Sequence, residues 1–364
     1  QGAGRLAGEG VVEVAPDGQR LIAKNVILAT GARPRTIPPL PVDGDKIITS
    51  REAIVLDQLP SSVVIVGGGA IGVEFAYIYR MYGVEVTIVE LLPRLVPNED
   101  EDISPILERS FERHGINIMT GAGVTAARSG PDGVAVTVAK DGAEETLNCE
   151  KVLVAIGVQP NIEDLGLESM GITIQDGSIQ VDDVMLTNVA TVYAIGDVAG
   201  GLQFTHVAGY HAGVVIKNAL FRWPAKVDTG SVPWVTFTAP ELAQVGLTEA
   251  QAKDAHGDIR VLRWPYHEND RAQAEKETDG MIKAVVTAKG KILGCGIAGA
   301  HAGELIQTWV LAKSKNLKIG DMAQMITPYP TFGEVSKRAA GSFYTASLFS
   351  ERTRKIVRFL SRFG

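Results

Sequence analysis

The chain has 364 residues and is mildly acidic, with 35 Lys plus Arg against 42 Asp plus Glu and a formal net charge of −7. That balance argues against nucleic acid as a general partner, and the length calls for two or three domains with real cores. Cys149 and Cys295 stand too far apart for a disulfide framework, a zinc cluster or a C-x-x-C. No metal site is expected. With no apolar run long enough to span a membrane and no secretory signal, a soluble cytoplasmic protein is expected. Forty glycines fit an α/β protein with many tight turns.

In chain order, residues 11 to 31, VVEVAPDGQRLIAKNVILATG, alternate and then run into an apolar strand, Asn25 to Ala29, that ends at Thr30-Gly31. Such a strand normally closes a nucleotide-binding sheet begun earlier. The Pro-rich ARPRTIPPLPVDG that follows marks a crossing between domains.

Residues 63 to 90 read as one βαβ unit. Val63 to Val66 is short, apolar and rich in β-branched residues, the pattern of a strand buried on both faces. Gly67, Gly69 and Gly72 then give G-x-G-x-x-G. The first allows the tight turn, the second lets backbone approach a pyrophosphate, and the third lets the helix pack closely on the strand. Free N–H groups at the helix start, around Ala70 and Ile71, face the phosphates. The helix runs from about Ala70 to Tyr82 and stops at Gly83. Glu90 closes the strand Val84 to Val89, 18 residues beyond Gly72, where a carboxylate accepts both ribose hydroxyls of NAD and repels a 2′-phosphate. NAD is thereby favoured, and Arg94 nearby keeps NADP open.

The strand-plus-glycine pattern recurs in KVLVAIGVQPN, 151 to 161, and in ATVYAIGDVAG, 190 to 200. The recurrence suggests two nucleotide domains, one inserted in the other. Thr205-His206-Val207-Ala208 opens a helix to about Phe221. Cys295 lies in an apolar strand and Cys149 opens the strand before AIG, and both read as buried small residues. His301 has no second ligand at helical or turn spacing and reads as structural. In the tail, SERTRKIVRFLSRFG, five Arg and Lys residues oppose one acid, and Ile356, Phe359, Leu360 and Phe363 form an apolar stripe. A basic amphipathic helix of this kind lies on a membrane surface or covers its own protein.

Several segments now combine: ATG at 29–31, GGGAIGVEFA at 67–76, AIGVQPN at 155–161, AIGD at 194–197, PELAQVGLTEAQAK at 240–253 and YPTFGE at 329–334. Together they resemble the flavoprotein pyridine nucleotide-disulfide oxidoreductases, with dihydrolipoamide dehydrogenase the nearest type over the first half. The resemblance implies an α/β fold with a split FAD domain, an inserted Rossmann-like NAD domain, and a C-terminal α+β interface domain that forms a homodimer. Its boundaries are expected at 1–37 and 161–228 for the FAD domain, 38–160 for the NAD domain, 229–350 for the interface domain and 351–364 for the tail.

Residue by residue, the resemblance places Thr30, Gly31, Gly196 and Asp197 beside FAD, with Asp197 on the ribityl chain; a turn-capping Asp is the alternative. It directs the N-terminus at His206, Val207 and Ala208 to the flavin pyrimidine edge, where its partial positive charge stabilises developing anion. Gly157 joins the cofactor-binding set. Glu74 matches an acid that pairs with a flavin-side lysine absent from this chain; without the resemblance it reads as a solvated helix residue. The family's own FAD glycine motif and C-x4-C redox pair are not in this sequence, so roughly a hundred upstream residues of a larger flavoenzyme are expected.

The C-terminal motif departs from the dihydrolipoamide dehydrogenases, which carry H-P-T-x-x-E with a histidine acid/base and an orienting glutamate. Here Tyr329 replaces the histidine while Glu334 is kept. A tyrosine pKa near 10 against about 6.5 for histidine makes it a poor base for a thiol at neutral pH. Tyr329 is therefore either catalytic or an interface aromatic. Pro328-Tyr329, RAAGSF and QFTH also resemble mercuric reductases, without their C-terminal vicinal cysteines. The expected function is an FAD enzyme exchanging electrons between NAD(H) and a small or protein-bound disulfide. A mercuric-reductase-like flavoprotein and a non-catalytic NAD-binding dimerising fragment are the alternatives.

Overall fold

In the computed structural model, which describes residues 1 to 363, Ser62–Val66 is the middle strand of a five-stranded parallel sheet. The order is Ile47–Thr49, Lys151–Val154, Ser62–Val66, Glu85–Glu90 and Asn117–Thr120. Val63, Val64, Ile65 and Val66 are all buried, as a parallel strand covered on both faces requires. The crossover helix Ala70–Met81 packs on it through Gly72, Val73, Ala76 and Tyr79, and its chain reverses at Gly83, φ +88. A second helix, Ser104–Arg113, buries Ile106, Leu107, Ser110 and Phe111.

Between the fifth strand and the returning Lys151–Val154 lies a feature the sequence reading passed over. Gly123–Gly130, Gly133–Lys140 and Ala143–Cys149 form a three-stranded antiparallel meander. Cys149 therefore ends a meander strand and does not open the strand before AIG. Its junction with Lys151–Val154 is only one residue long, and alternation of buried and half-buried residues in Gly133–Lys140 marks a sheet with one covered face. Both cysteines are buried and unpaired, and burial pushes the Cys149 thiol up to about 11.

The C-terminal region forms an antiparallel sheet in the order Pro233–Thr236, Glu241–Gly246, Ile292–Gly299, Met281–Thr287 and Ile259–Pro265. Its central strands are buried on both sides with period two. Ala243, Val245, Cys295 and Ile297 pack with Trp309, Ala312 and Ala339 from the helices Ala302–Ser314 and Glu334–Leu348. Leu242 and Ala298 join the cluster of Ile103, Phe111 and Ile88. The parallel sheet and this sheet thus share a core, and residues 37–155 with those from 230 onward make one compact unit.

The other unit is built from residues 1–36 and 156–229. It holds the antiparallel strands Ala3–Gly8, Val11–Ala15 and Gln19–Ile22, and the parallel pair Val26–Leu28 with Val192–Ala194. Ala32–Pro34 pairs with Val158–Pro160, and the helix Thr205–Ala219 buries Val207, His211, Val214 and Val215. Leu6, Leu28, Ile179, Val192, Ala194 and Val198 form its core.

Within the larger unit a charged knot fastens the segment after Glu90 to the antiparallel sheet. Lys283, 2% exposed, points its Nζ at Asp100 (2.9 Å), Asp102 (2.6 Å) and Glu249 (2.8 Å). Arg263 reaches Asp102 at 2.9 Å and Glu249 at 2.7 Å. Burial pulls Lys283 down, but the hydrogen bonds to its three carboxylates outweigh it and hold the ammonium above its usual value. Glu99, 4% exposed, adjoins the knot and accepts from Trp234 Nε1 at 2.6 Å. Burial pushes Glu99 up to about 7, Asp100 adds to the shift, and Trp234 and Arg94 oppose it.

Two outcomes follow for stability. Lys283→Met strands three carboxylates around an apolar side chain and is expected to cost about 3–5 kcal/mol in denaturant unfolding; a loss below about 1 kcal/mol, the scale of an exposed pair, would contradict the account. For Glu99, a folded pKa raised from 4.5 to about 7 means the unfolded state releases its proton first. Its contribution is complete below about pH 4.5 and fades as pH rises through about 7. Glu99→Gln keeps an acceptor for Trp234 and should remove that part of the pH dependence, so the variant's advantage over the parent grows between those two pH values.

Candidate functional site

The glycine turn is shaped by contacts that leave no room for side chains on one side and full room on the other. Gly67 takes φ +110 and its N–H donates to Val89 O at 2.9 Å. A Cβ on Gly72 would land on the carbonyl oxygen of Gly67, whereas one on Gly69 would meet nothing within 4 Å. Gly69 caps the helix with no side-chain bond, and the first helical bond is made by Val73 N to Gly69 O at 3.0 Å. The N–H groups of Ala70, Ile71 and Gly72 precede it and border the open side. This cradle fits a pyrophosphate.

Glu90 stands at the rim of that turn, 8% exposed. Its carboxylate accepts from Gly68 N at 2.5 Å and from Leu92 N at 2.7 Å. The following loop folds back on the glycines: Val96 N donates to Gly68 O at 2.8 Å, and Leu95 is fully buried. Arg94 donates to the carbonyls of Glu99 (2.9 Å) and Pro97 (2.7 Å). Its guanidinium therefore braces the loop and is not a free cation for a 2′-phosphate. Nothing in the local sequence distinguishes a loop-bracing arginine from a phosphate-binding one.

Glu74 is half-buried, and its Oε1 accepts from Phe237 N at 2.8 Å, a residue of the antiparallel region. Burial pushes its carboxyl up, against the pull of the Phe237 N–H. The plain reading of Glu74 as a solvated helix residue is therefore corrected. The partner lies 163 positions away, so no local pattern announces it.

In the smaller unit the two strand-ending glycine turns are tied down separately. Thr30 Oγ1 donates to Asn161 O at 2.7 Å, Asn161 Nδ2 donates to Thr30 O at 2.9 Å, and Asn161 N donates to Gly31 O at 2.9 Å. Gly157, φ +99, accepts at its carbonyl from Arg35 N at 2.9 Å. Gly196 takes φ +68, and its N–H donates to Nδ1 of His211 at 3.3 Å. Asp197 follows in the short helix Gly196–Ala199, and among the described residues its carboxylate has no hydrogen-bond partner, its carbonyl alone accepting from Gly200 N and Gln203 Nε2. The capping alternative for the Asp197 side chain finds no bond here.

The helix Thr205–Ala219 starts at Phe204 without a side-chain cap, and the rings of Phe204 and His206 stack at 5.3 Å. Val207 is buried and Ala208 half-buried beneath that first turn, a Cβ on Gly196 lying 3.0 Å from that of Ala208. His211, buried, is the residue sequence reasoning missed: it joins the AIGD turn to this helix, and burial holds its imidazole below the usual value, hence neutral and able to accept. A turn that offers an uncommitted Asp197 carboxylate as acceptor, beside an uncapped helix start, suits a polyol and an electron-rich ring edge.

Tyr329 is 70% exposed, and its hydroxyl donates to Asp270 Oδ2 at 2.9 Å. That bond holds the phenol above its usual pKa. Phe332 anchors the same loop, buried against Tyr266 (5.9 Å) and His301 (5.1 Å), and Asn269 Nδ2 donates to Thr331 O at 3.1 Å. His301, φ +60 at the start of Ala302–Ser314, is a packing residue. Glu334 is the first residue of its helix, half-buried; it makes no hydrogen bond with Tyr329, which is instead held by Asp270.

Known proteins resemble this chain over most of its length. Residues 1–212 match the family model for pyridine nucleotide-disulphide oxidoreductase, and 232–340 match the dimerisation domain of the same family. The chain is 41% identical over 326 residues to a dihydrolipoyl dehydrogenase of Rhizobium etli, covering 88% of this chain and 68% of that protein. It is 39% identical over 324 residues to one of Bacillus subtilis, with the same shares. Among solved structures, LpdA from Mycobacterium tuberculosis superposes with TM-score 0.86 at 31% identity, covering 94% of this chain and 76% of that one. The flavoprotein disulfide reductase RclA from Escherichia coli, induced by HOCl, gives 0.85 at 27% identity, over 94% and 78%. No helix among the described residues is long and apolar enough to cross a membrane.

Gly72→Ala tests the cradle. The added methyl displaces the Gly67 carbonyl, so a stability loss of about 1–3 kcal/mol should accompany a large drop in NAD affinity, read by thermal unfolding and calorimetry. Unchanged binding would show that the turn is not the pyrophosphate seat.

Proposed function

This chain belongs to the pyridine nucleotide-disulphide oxidoreductase family and is a dihydrolipoyl-dehydrogenase-like flavoprotein using FAD and NAD, and we propose that it exchanges electrons between NAD(H) and a dithiol of the dihydrolipoyl class that reacts as its thiolate. The observation that carries the last clause is Tyr329, whose hydroxyl proton is donated to Asp270. A phenol held above pKa 10 by a neighbouring carboxylate stays protonated at neutral pH and takes no proton from a thiol. It serves as a hydrogen-bonding positioner at the dimer boundary, with Glu334 at the adjacent helix start.

The other roles rest on the cradles described above. Gly67, Gly69, Ala70, Ile71 and Gly72 would seat the NAD pyrophosphate, and Glu90 would accept the ribose hydroxyls with the lone pairs that Gly68 and Leu92 leave free. Thr30, Gly31, Gly196 and Asp197 would hold FAD, Asp197 offering an uncommitted carboxylate to the ribityl hydroxyls, and Gly157 would belong to the cofactor-binding set. The helix start at His206, Val207 and Ala208 supplies partial positive charge. Glu74 would act on the nicotinamide side. Bound FAD supplies two-electron storage between the nicotinamide and sulfur. In balance, a dithiol gives up two electrons and two protons, NAD⁺ takes a hydride, and one proton goes to solvent.

The test is the pH profile of NAD⁺-dependent dihydrolipoamide oxidation. Without a base, the rate at subsaturating dithiol is expected to climb about tenfold per pH unit through neutrality toward the thiol pKa near 8.5. Tyr329→His is expected to raise it about a hundredfold at pH 7 and to move the inflection to roughly 6.5. A parent profile already flat at neutrality would assign the proton to another group, and a profile that Tyr329→His leaves unmoved would remove this position from the proton transfer.

A further inference from the structure

The helix Glu351–Leu360 is unlike every other long helix of the chain in burying none of its residues. It starts from a capped turn, with Ser350 Oγ accepting from Thr353 N at 3.2 Å and Thr353 Oγ1 donating to Ser347 O at 2.7 Å, so it is held to the end of Glu334–Leu348 without lying on the body of the chain. Ile356, Phe359, Leu360 and Phe363 recur at i, i+3, i+4 and i+7 and share one face, and all are exposed. The rings of Phe359 and Phe363 meet edge to face at 5.2 Å. Leu348 and Phe349, also exposed, precede the helix. Arg354, Arg358 and Arg362, at i, i+4 and i+8, lie away from that face, with Lys355 at its flank and Arg352 at its N-terminal end.

We propose that this helix docks the protein on an anionic lipid surface, apolar face down among the acyl chains and basic face at the headgroups. Three observations select that occupant. The helix covers none of its own chain, which removes the self-covering role. It lies beyond residue 340, where the match to the dimerisation domain stops. And it concentrates Arg352, Arg354, Lys355, Arg358 and Arg362 against Glu351 on a chain whose net charge is −7, so this segment is attracted to a negative surface while the remainder is repelled. Apolar insertion with basic flanks is the physical signature of an interfacial helix, and one short helix gives reversible attachment.

The experiment is co-sedimentation of the flavin-loaded protein with vesicles of phosphatidylcholine alone and of phosphatidylcholine mixed with phosphatidylglycerol. Partitioning is expected to be at least about tenfold stronger on the anionic vesicles and to weaken with added salt. Arg354→Glu combined with Arg358→Glu should abolish it, and Phe359→Ser should reduce it about tenfold, with the dimer unchanged by gel filtration; these side chains are exposed, so the fold is retained. Equal partitioning on both vesicles, or none, overturns the proposal. Dissociation of the dimer by Phe359→Ser overturns it too and assigns the face to a second copy. Dihydrolipoamide turnover does not enter this readout, so the catalytic reading stands or falls separately.

Discussion

The buried ammonium of Lys283 is the constraint on which the larger unit turns. An ion this deep in a protein is tolerated only when its charge is matched and its hydrogen-bonding capacity filled, and Asp100, Asp102 and Glu249 do both. Two of those carboxylates sit a few residues after the loop that closes over the glycine turn. The bracing continues inward: Asp100 next to Glu99, the Glu99 carbonyl on Arg94, Leu95 in the core, and Val96 on Gly68. The glycine turn is thereby tied through this loop to the antiparallel sheet of the dimerisation domain.

What the sequence disclosed was whatever depends on near neighbours. A glycine that must vacate space for a carbonyl, an acid at a strand end and a strand of β-branched residues are local requirements, and Gly72, Glu90 and Val63 to Val66 were legible for that reason. The charged knot was not, because Lys283 and Asp100 are 183 positions apart and each alone reads as a solvated charge. His211 escaped notice in the same way: a single histidine on a helix looks like surface until the turn at Gly196 is seen to donate to it. The strand that Cys149 closes is not legible either, because the meander returns into the parallel sheet almost without a loop.

Tyr329 shows how a motif can keep its scaffold and change its chemistry. Phe332 is buried and Thr331 is held by Asn269, so the backbone of the loop is fixed independently of the residue at its tip. The tip then determines only which protons are handled. Asp270, at the start of the neighbouring helix, holds the Tyr329 hydroxyl, and Glu334 does not.

The discontinuous unit sets a timetable for synthesis. Val26–Leu28 has its parallel partner at Val192–Ala194, with the whole of residues 37–155 in between. At about 5–20 residues made per second, the earlier strand waits roughly ten to thirty seconds for its mate to be translated. During that interval the side of Val26–Leu28 that pairs with Val192–Ala194 waits unfilled, while the last strand of the inserted sheet, Lys151–Val154, has already been made. All strands of the inserted parallel sheet are thus made before the unit that surrounds it in sequence can close, and the side of VILATG that awaits Val192–Ala194 is what a ribosome-bound chaperone would find exposed.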